Sequence, residues 1–136
     1  MLAEIPVELS KVEIRERSPQ QLILLQEIGG ERKIPIAIGI LEAFEIERKL
    51  LGSAAPRPMT HDLMGSILDA LDVRLEQIVI TDLRDHTFFA ALHLRLPDGG
   101  TQVIDARPSD AIALAVQKKA PMFALEHVLD KVNQAE

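Results

Sequence analysis

The sequence lacks cysteine, tryptophan and tyrosine, and four phenylalanines are its whole aromatic content. Without cysteine the chain has no disulfide framework, no thiolate metal site and no cysteine nucleophile. So few aromatic rings also leave little surface on which nucleic-acid bases could stack. These absences fit a reducing compartment and argue against a binding surface built on base stacking.

Long hydrophobic runs are also missing, and none approaches the roughly 20 apolar residues that span a bilayer. The N-terminal residues MLAEIPVE have neither the basic segment nor the apolar core of a signal peptide. Together these two absences predict a cytoplasmic protein that makes no membrane contact.

Basic charge is in the minority, because 15 basic residues face 21 acidic ones and give a net charge of −6. Proteins that hold nucleic acid by releasing its counterions usually present a basic face. The charge balance therefore argues against a clamp-type nucleic-acid binder. A nucleic-acid function would need a local basic ridge, near Arg15 and Arg17 or at Arg32 and Lys33, or a divalent cation that reverses the sign of an acidic site.

The chain has the size and composition of one globular unit. Its 136 residues are 47% hydrophobic, which is enough to build a core without covalent crosslinks. No internal repeat, low-complexity tract or Gly/Ser linker interrupts it. We therefore expect residues 1–136 to form a single domain.

Alternation of apolar and polar residues predicts seven strands, at 7–14, 22–28, 32–38, 73–82, 88–96, 101–106 and 122–124. The first strand should carry a bulge near Ser10-Lys11. Pro35 cannot donate to a ladder, so the third strand should lie at a sheet edge or end there. The segment Pro97-Asp98-Gly99-Gly100 is a strong hairpin signal.

Helical spacing predicts four helices, at 40–51, from Thr60 as N-cap to about 71, at 109–119 and at 126–132. In the first two helices the apolar residues fall on one side and should be buried; they are Ile40, Ala43, Phe44, Leu50 and Leu51, then Leu63, Met64, Ile67, Leu68 and Leu71. The third helix is apolar nearly all round. Hairpins on both sides of a central helix pair, with a buried helix after the last hairpin, indicate an α+β fold with a mainly antiparallel sheet.

The segment Asp105-Ala106-Arg107-Pro108-Ser109-Asp110 concentrates polar residues between an apolar strand and an apolar helix. A helix N-terminus attracts anions, and Arg107 could add a bidentate contact to a phosphate. Asp105 and Asp110 could instead hold a hard cation through their oxygens. The structural alternative is that Ser109 and Asp110 cap the helix while Arg107 pairs with Asp105.

A second polar segment, Thr60-His61-Asp62-Leu63, opens the helix before it. Its structural interpretation is a cap, with His61 packed at the helix edge. If the fold brings the two segments together, a histidine and two aspartates would form a mixed nitrogen and oxygen site. We therefore predict that His61 or Asp62 lies near the 105–110 segment.

These segments carry a family resemblance. The order and spacing of the blocks Ile34-Pro35-Ile36-Ala37-Ile38-Gly39, Glu42-Ala43, Thr60-His61-Asp62-Leu63, Asp82-Leu83, Thr87-Phe88-Phe89-Ala90 and 104–115 resemble the bifunctional nuclease (BFN) domain family, long known as a domain of unknown function. The block Asp-Ala-Arg-Pro-Ser-Asp-Ala is the most diagnostic. The resemblance covers nearly the whole chain and implies an α+β domain, commonly oligomeric, with nuclease activity on DNA and RNA.

By motif position the resemblance points to a set of polar residues: Glu42, His61, Asp62, Asp105, Arg107, Ser109 and Asp110. We expect a metal-assisted nuclease in which Asp62, Asp105, Asp110 and Glu42 hold Mg²⁺ or Mn²⁺. Arg107 and Ser109 would bind the substrate, and Asp105, Arg107 and His61 would act in catalysis.

The alternative is a non-catalytic module of the same fold that binds a protein or a small anion, with the same motifs serving as structural caps. The net acidity and the missing standard nuclease motif favour it. In either case we expect a homo-oligomer, a dimer or higher, because the alternating strands and a Pro-containing edge leave apolar surface that a symmetric partner can cover.

Overall fold

The computed structural model describes residues 2–15 and 17–134, and the elements below are those of this part of the chain. The strands are β1 Glu4–Glu13, β2 Gln21–Glu27, β3 Lys33–Ile38, β4 Arg74–Arg84, β5 Thr87–Arg95, β6 Thr101–Ala106 and β7 Met122–Leu125. The helices are α1 Ile40–Leu51, α2 Thr60–Ala70, α3 Pro108–Lys118 and α4 Glu126–Asn133. Among the described residues, no helix has both the length and the apolarity needed to cross a membrane.

One seven-stranded sheet has the order β3-β2-β1-β7-β4-β5-β6. Its pairs are antiparallel except β4 with β7, so the predicted α+β fold with a mainly antiparallel sheet is confirmed. The pairing of β1 with β2 shifts between Leu9 and Lys11, which confirms the predicted bulge. β3 is an edge strand, as Pro35 predicted, and its isoleucines at 34, 36 and 38 all point into the core.

The helices divide the sheet between them. α1 packs on β1, β2 and α3, while α3 packs on β4 and β5. α2 contacts α3 and β4, and α4 contacts β3, β4 and β7. Residues 111–115 of α3 are each at most 1% exposed, so the prediction of a buried helix after the last hairpin is confirmed.

The predicted buried face of α1 is correct for Ala43 and wrong for three larger side chains. Phe44 is 49% exposed, and Leu50 and Leu51 also face solvent. Besides Ala43, the helix buries Ile46 and the charged Glu45. The helix is turned this way because Glu45 and its neighbours form ion pairs on the inner side, which the apolar pattern does not reveal.

The predicted buried face of α2 is only partly correct. Met64 and Leu68 pack against the core, but Leu63, Ile67 and Leu71 are exposed, whereas His61 and Gly65 are buried. Gly65 lies so close to the side chain of Gln117 in α3 that an added Cβ would overlap it. The small residue and the histidine therefore set the contact between α2 and α3, and Leu63, Ile67 and Leu71 turn outward.

Matched substitutions in the two helices should report this orientation. Ile112→Val should lower the free energy of unfolding by about 0.5–1.5 kcal/mol, because Ile112 is fully buried and the variant leaves a cavity. Ile67→Val should change it by less than about 0.5 kcal/mol, because Ile67 is half exposed. Urea unfolding of both variants measures the difference, and equal losses would contradict the outward orientation of α2.

Candidate functional site

The first turns of α2 and α3 meet at a histidine–aspartate contact. His61 is 9% exposed, and its Nε2 lies 2.9 Å from Asp110 Oδ1. This contact confirms the prediction that the two polar segments lie together. Thr60 was expected as the N-cap, but Met59 occupies that position and its N–H donates to Asp62 at 2.9 Å.

Arg107 is the N-cap residue of α3, and Pro108 is the first helical residue. Its guanidinium donates to Asp110 from Nε at 2.9 Å and from Nη2 at 3.2 Å. Its Nη1 also lies 3.5 Å from Glu42 Oε1 of α1. The structural alternative in which Arg107 pairs with Asp105 is therefore wrong. The prediction that Ser109 caps α3 is also wrong, because Ser109 lies inside the helix.

These side chains line a groove of about 580 Å³ between α1 and the first turns of α2 and α3. Glu42, Arg48, His61 and Arg107 form part of its charged wall. Its apolar wall includes exposed side chains of the two outward-facing helices, among them Leu41, Phe44 and Met59. The groove therefore combines a positively charged guanidinium, an imidazole and an apolar rim.

A second charged cluster begins at Glu45 and Arg48 in the groove wall and continues to Lys49 and Asp62. Arg48 Nη2 is 2.6 Å from Glu45 Oε1 and 2.9 Å from Asp62 Oδ2. Lys49 donates to Asp62 and lies 3.9 Å from Glu45. His61 Nδ1 is 3.9 Å from Glu45 Oε1, so the imidazole lies between Glu45 and Asp110 and joins the two clusters.

Sequence analysis missed Glu45, Arg48 and Lys49. The i,i+3 spacing of Glu45 and Arg48 allowed an ion pair on one helix. Their connection to Asp62 depends on the turn between α1 and α2 and had no signal in the sequence.

Hydrogen bonds in the clusters lower the pKa of two carboxyl groups, those of Asp110 and Asp62. Burial raises the pKa of Asp110, but hydrogen bonds from Arg107 and His61 outweigh it and leave that pKa below its ordinary value. The hydrogen bond from Lys49, aided by the Met59 N–H, holds the pKa of Asp62 well below its ordinary value. Asp110 is therefore an anion at neutral pH and a fixed hydrogen-bond acceptor for His61.

Asp105 stands apart from these contacts. It lies exposed on β6 opposite Ala91, and it therefore faces away from the sheet side that carries Ala90 and Leu92. Within residues 2–15 and 17–134 it makes no hydrogen bond or ion pair with another side chain. The fold thus gathers Glu42, His61, Arg107 and Asp110, places Asp62 in the neighbouring cluster, and leaves Asp105 outside both.

The acidic side chains of the two clusters are the candidate ligands of a divalent cation. In the described part of the chain, no group of three or more His, Asp and Glu side chains is arranged to hold a metal ion. Each acidic side chain of the clusters already has a cationic partner, with Asp110 and Glu42 on Arg107 and Asp62 on Arg48 and Lys49. As arranged, these residues do not fit a resident Mg²⁺ or Mn²⁺.

Two arginines of the candidate basic ridges are paired with acidic side chains. Arg15 donates to Glu13 at 2.8 Å. Arg32 contacts Glu27, Glu126 and Asp130 at 2.7–2.9 Å and ties the turn between β2 and β3 to α4. Arg15 and Arg32 are therefore held by acidic neighbours, as Arg107 is in the groove.

Comparison with known proteins identifies relatives of this chain. A family model described as the bifunctional nuclease domain matches residues 23–136. An uncharacterized protein of Mycobacterium tuberculosis (strain H37Rv) is 40% identical over 124 residues, which cover 90% of this chain and 73% of that protein.

Two rice proteins are more distant. Bifunctional nuclease 2 of Oryza sativa subsp. japonica is 28% identical, and bifunctional nuclease 1 of Oryza sativa subsp. indica is 23% identical. Each match covers 80% of this chain and 34% of the rice protein. The family model spans the site, including the block from Asp105 to Asp110. This chain belongs to the bifunctional nuclease domain family.

Proposed function

We propose that this protein is a nuclease that hydrolyses phosphodiester bonds of DNA and RNA in the groove between α1, α2 and α3. The observation that carries the proposal is His61, held by Asp110 at 2.9 Å beside the guanidinium of Arg107. Membership of the bifunctional nuclease domain family and the names of the rice relatives support the same class of reaction.

His61 serves as the general base. When its Nε2–H donates to Asp110, the imidazole carries its free lone pair on Nδ1, the side nearer Glu45. Water attacks phosphorus, its proton passes to Nδ1, and the bond to the leaving oxygen breaks. That oxygen takes up a proton from solvent or from the imidazolium. A base oriented in this way typically contributes about 10²–10⁴-fold to the rate.

Arg107 provides the anion contact. Its side chain is 65% exposed, so it can turn toward a phosphate from Asp110 and Glu42, whose side chains are 25% and 27% exposed. The planar fork of a guanidinium matches two phosphate oxygens, and it stabilises the charge that develops on them. Ser109 is buried beneath Arg107 and is proposed to support this position and not to contact substrate directly.

The use of a divalent cation and the participation of Asp105 in catalysis remain predictions. A bound Mg²⁺ or Mn²⁺ would polarise the phosphoryl group and neutralise its charge. Glu42, Asp62 and Asp110 are engaged with cationic side chains, so the proposed reaction uses only side chains of the protein. Asp105 would need a rearrangement of the end of β6 to act in this groove.

Purified protein should therefore cleave single-stranded DNA or RNA above a mock-purified blank. The assay is run with Mg²⁺, with Mn²⁺ and with EDTA. Cleavage that persists in EDTA supports the arrangement in which His61 acts without a resident ion, whereas cleavage lost in EDTA shows that an ion is required. Absence of cleavage in all three conditions overturns the nuclease proposal.

The second candidate is a non-catalytic module that binds a protein or a small anion. It is favoured by the exposed apolar rim of the groove, where Leu41 is 77% and Met59 49% exposed. Such a rim beside paired charges is typical of a docking surface. Titration of the protein with inorganic phosphate and with oligonucleotides, followed by calorimetry, distinguishes binding without turnover from the nuclease.

We also propose that the protein is a homo-oligomer, a dimer or higher. The exposed large apolar side chains of α1, α2 and β6 support this, because monomers seldom expose so many of them. Light scattering should report a mass of at least two chains at micromolar concentration. A monomer at and above that concentration would contradict the proposal.

A further inference from the structure

β6 forms one edge of the sheet and pairs with β5 alone among the described strands. Five of its six residues are exposed, and the sixth, Ala106, is half-buried. Val103 is 59% and Ile104 45% exposed, so an apolar pair occupies the middle of this edge. A strand edge of this kind leaves a row of backbone donors and acceptors open to another strand.

The other edge of the sheet is protected. On β3, Pro35 has no N–H to donate, and Lys33 adds a charge. The side chain of Asn133 on α4 accepts from the Lys33 N–H at 3.3 Å and donates to its carbonyl at 3.1 Å. β6 has neither proline nor lysine, and its one charged residue is Asp105. The two edges therefore differ in the features that block strand addition.

The hairpin fixes which groups of β6 point outward. The Leu96 N–H donates to the Gly100 carbonyl at 2.8 Å, so the backbone of Gly100 faces β5. Backbone direction alternates along an antiparallel strand. The N–H and C=O groups of Thr101, Val103 and Asp105 consequently point away from β5 and toward solvent.

We propose that β6 pairs antiparallel with β6 of a second copy about a twofold axis at Val103, which gives the homo-oligomer proposed above its interface. In this register Val103 lies opposite Val103 of the second copy, and Thr101 lies opposite Asp105. All three outward-facing residues on each chain then pair, making about six backbone hydrogen bonds. The Thr101 hydroxyl donates to the Asp105 carboxylate of the other copy, so the acidic groups meet donors and not each other. A slip of two residues would lose one of the three pairs.

A charge placed at the centre of the edge should separate the copies. In light scattering across a dilution series, the unmodified protein should be a dimer. Val103→Lys should weaken the dimer at least tenfold, because two ammonium groups would face each other across the axis. Ala37→Lys is the matched control, since it adds the same charge at an exposed position of the opposite sheet edge and should leave the dimer intact. Equal melting temperatures of both variants would show that neither is unfolded.

Single cysteines test the register, because the natural chain has none. Val103→Cys should form a disulfide-linked dimer on mild oxidation, since directly opposite Cα atoms of a hydrogen-bonded pair lie about 5.5 Å apart. Thr101→Cys should not, because the two copies of residue 101 would be offset by about 13 Å along the strands. A monomeric unmodified protein would overturn both the oligomer and this interface. A dimer that persists in Val103→Lys, together with a Val103→Cys variant that does not crosslink, would overturn the interface alone, and neither result bears on nuclease activity.

Discussion

His61→Gln is expected to slow phosphodiester hydrolysis about 10²–10⁴-fold, the contribution of a positioned general base. The glutamine amide can still hydrogen-bond to Asp110, which fixes the native imidazole at 2.9 Å, but it cannot accept the proton of the attacking water. Initial rates on a labelled single-stranded oligonucleotide measure the loss. The rate constant should fall while the affinity for the oligonucleotide, measured separately by fluorescence anisotropy, stays within a few-fold of the native value.

His127→Gln is the matched control. His127 of α4 also contacts a carboxylate, Asp82, at 3.4 Å, but this pair lies outside the groove. The same change there should leave the rate unaltered. If both variants cleave at the native rate, His61 is a structural contact between α2 and α3. If both lose activity together with thermal stability, loss of folding and not of a base explains the effect.

Strands were predictable because their signals are local. In β3, the apolar side chains of residues 34, 36 and 38 alternate with polar or small ones. The segment Pro97-Asp98-Gly99-Gly100 specifies a turn by itself. α3 was equally predictable, since a helix that is apolar on every side can only be buried. In these elements the local pattern and the tertiary structure agree.

The buried faces of α1 and α2 were not predictable, because the local apolar pattern and the tertiary structure disagree there. The apolar stripes place Phe44 and Leu63 inward, but the fold turns them outward and directs Glu45 and His61 inward. The inward groups are stabilised by partners from other elements, Arg48 with Asp62 and His61 with Asp110. No residue spacing within one helix encodes those partners.

The candidate site was predicted in part for the same reason. The sequence placed His61 and Asp110 at two helix starts, and packing of α2 on α3 through Gly65 brought them together. Asp105 and Asp110 are close in sequence, but the chain passes from strand to helix between them. That change of backbone direction sends Asp105 out of the groove, so proximity in sequence did not imply proximity of the side chains.

Lys49→Met should lower the free energy of unfolding by about 3 kcal/mol at pH 7. This value is near the lower end of the stability losses seen when one partner of a buried ion pair is removed. We expect the lower end because Arg48 still contacts Asp62. The Lys49 side chain is only 8% exposed, and it contacts both Asp62 and Glu45. Methionine retains the apolar stem, so the loss reports mainly on charge. Lys11→Met makes the same chemical change in an exposed pair with Glu13 and should have a much smaller effect on the free energy of unfolding.

The loss in Lys49→Met should depend on pH in a defined direction. Lys49 is the main reason that the pKa of Asp62 is lowered in the folded protein, whereas an unfolded aspartate has a pKa of about 3.9. A lowered carboxyl pKa stabilises the fold above the unfolded value and loses that contribution as pH falls below it. The difference in free energy of unfolding between native protein and variant should therefore be largest at pH 7 and smaller at pH 3. Urea unfolding at both pH values measures it. A difference in the free energy of unfolding that is the same at both pH values would show that Lys49 stabilises the fold by packing. That result would contradict a stabilising ion pair between Lys49 and Asp62.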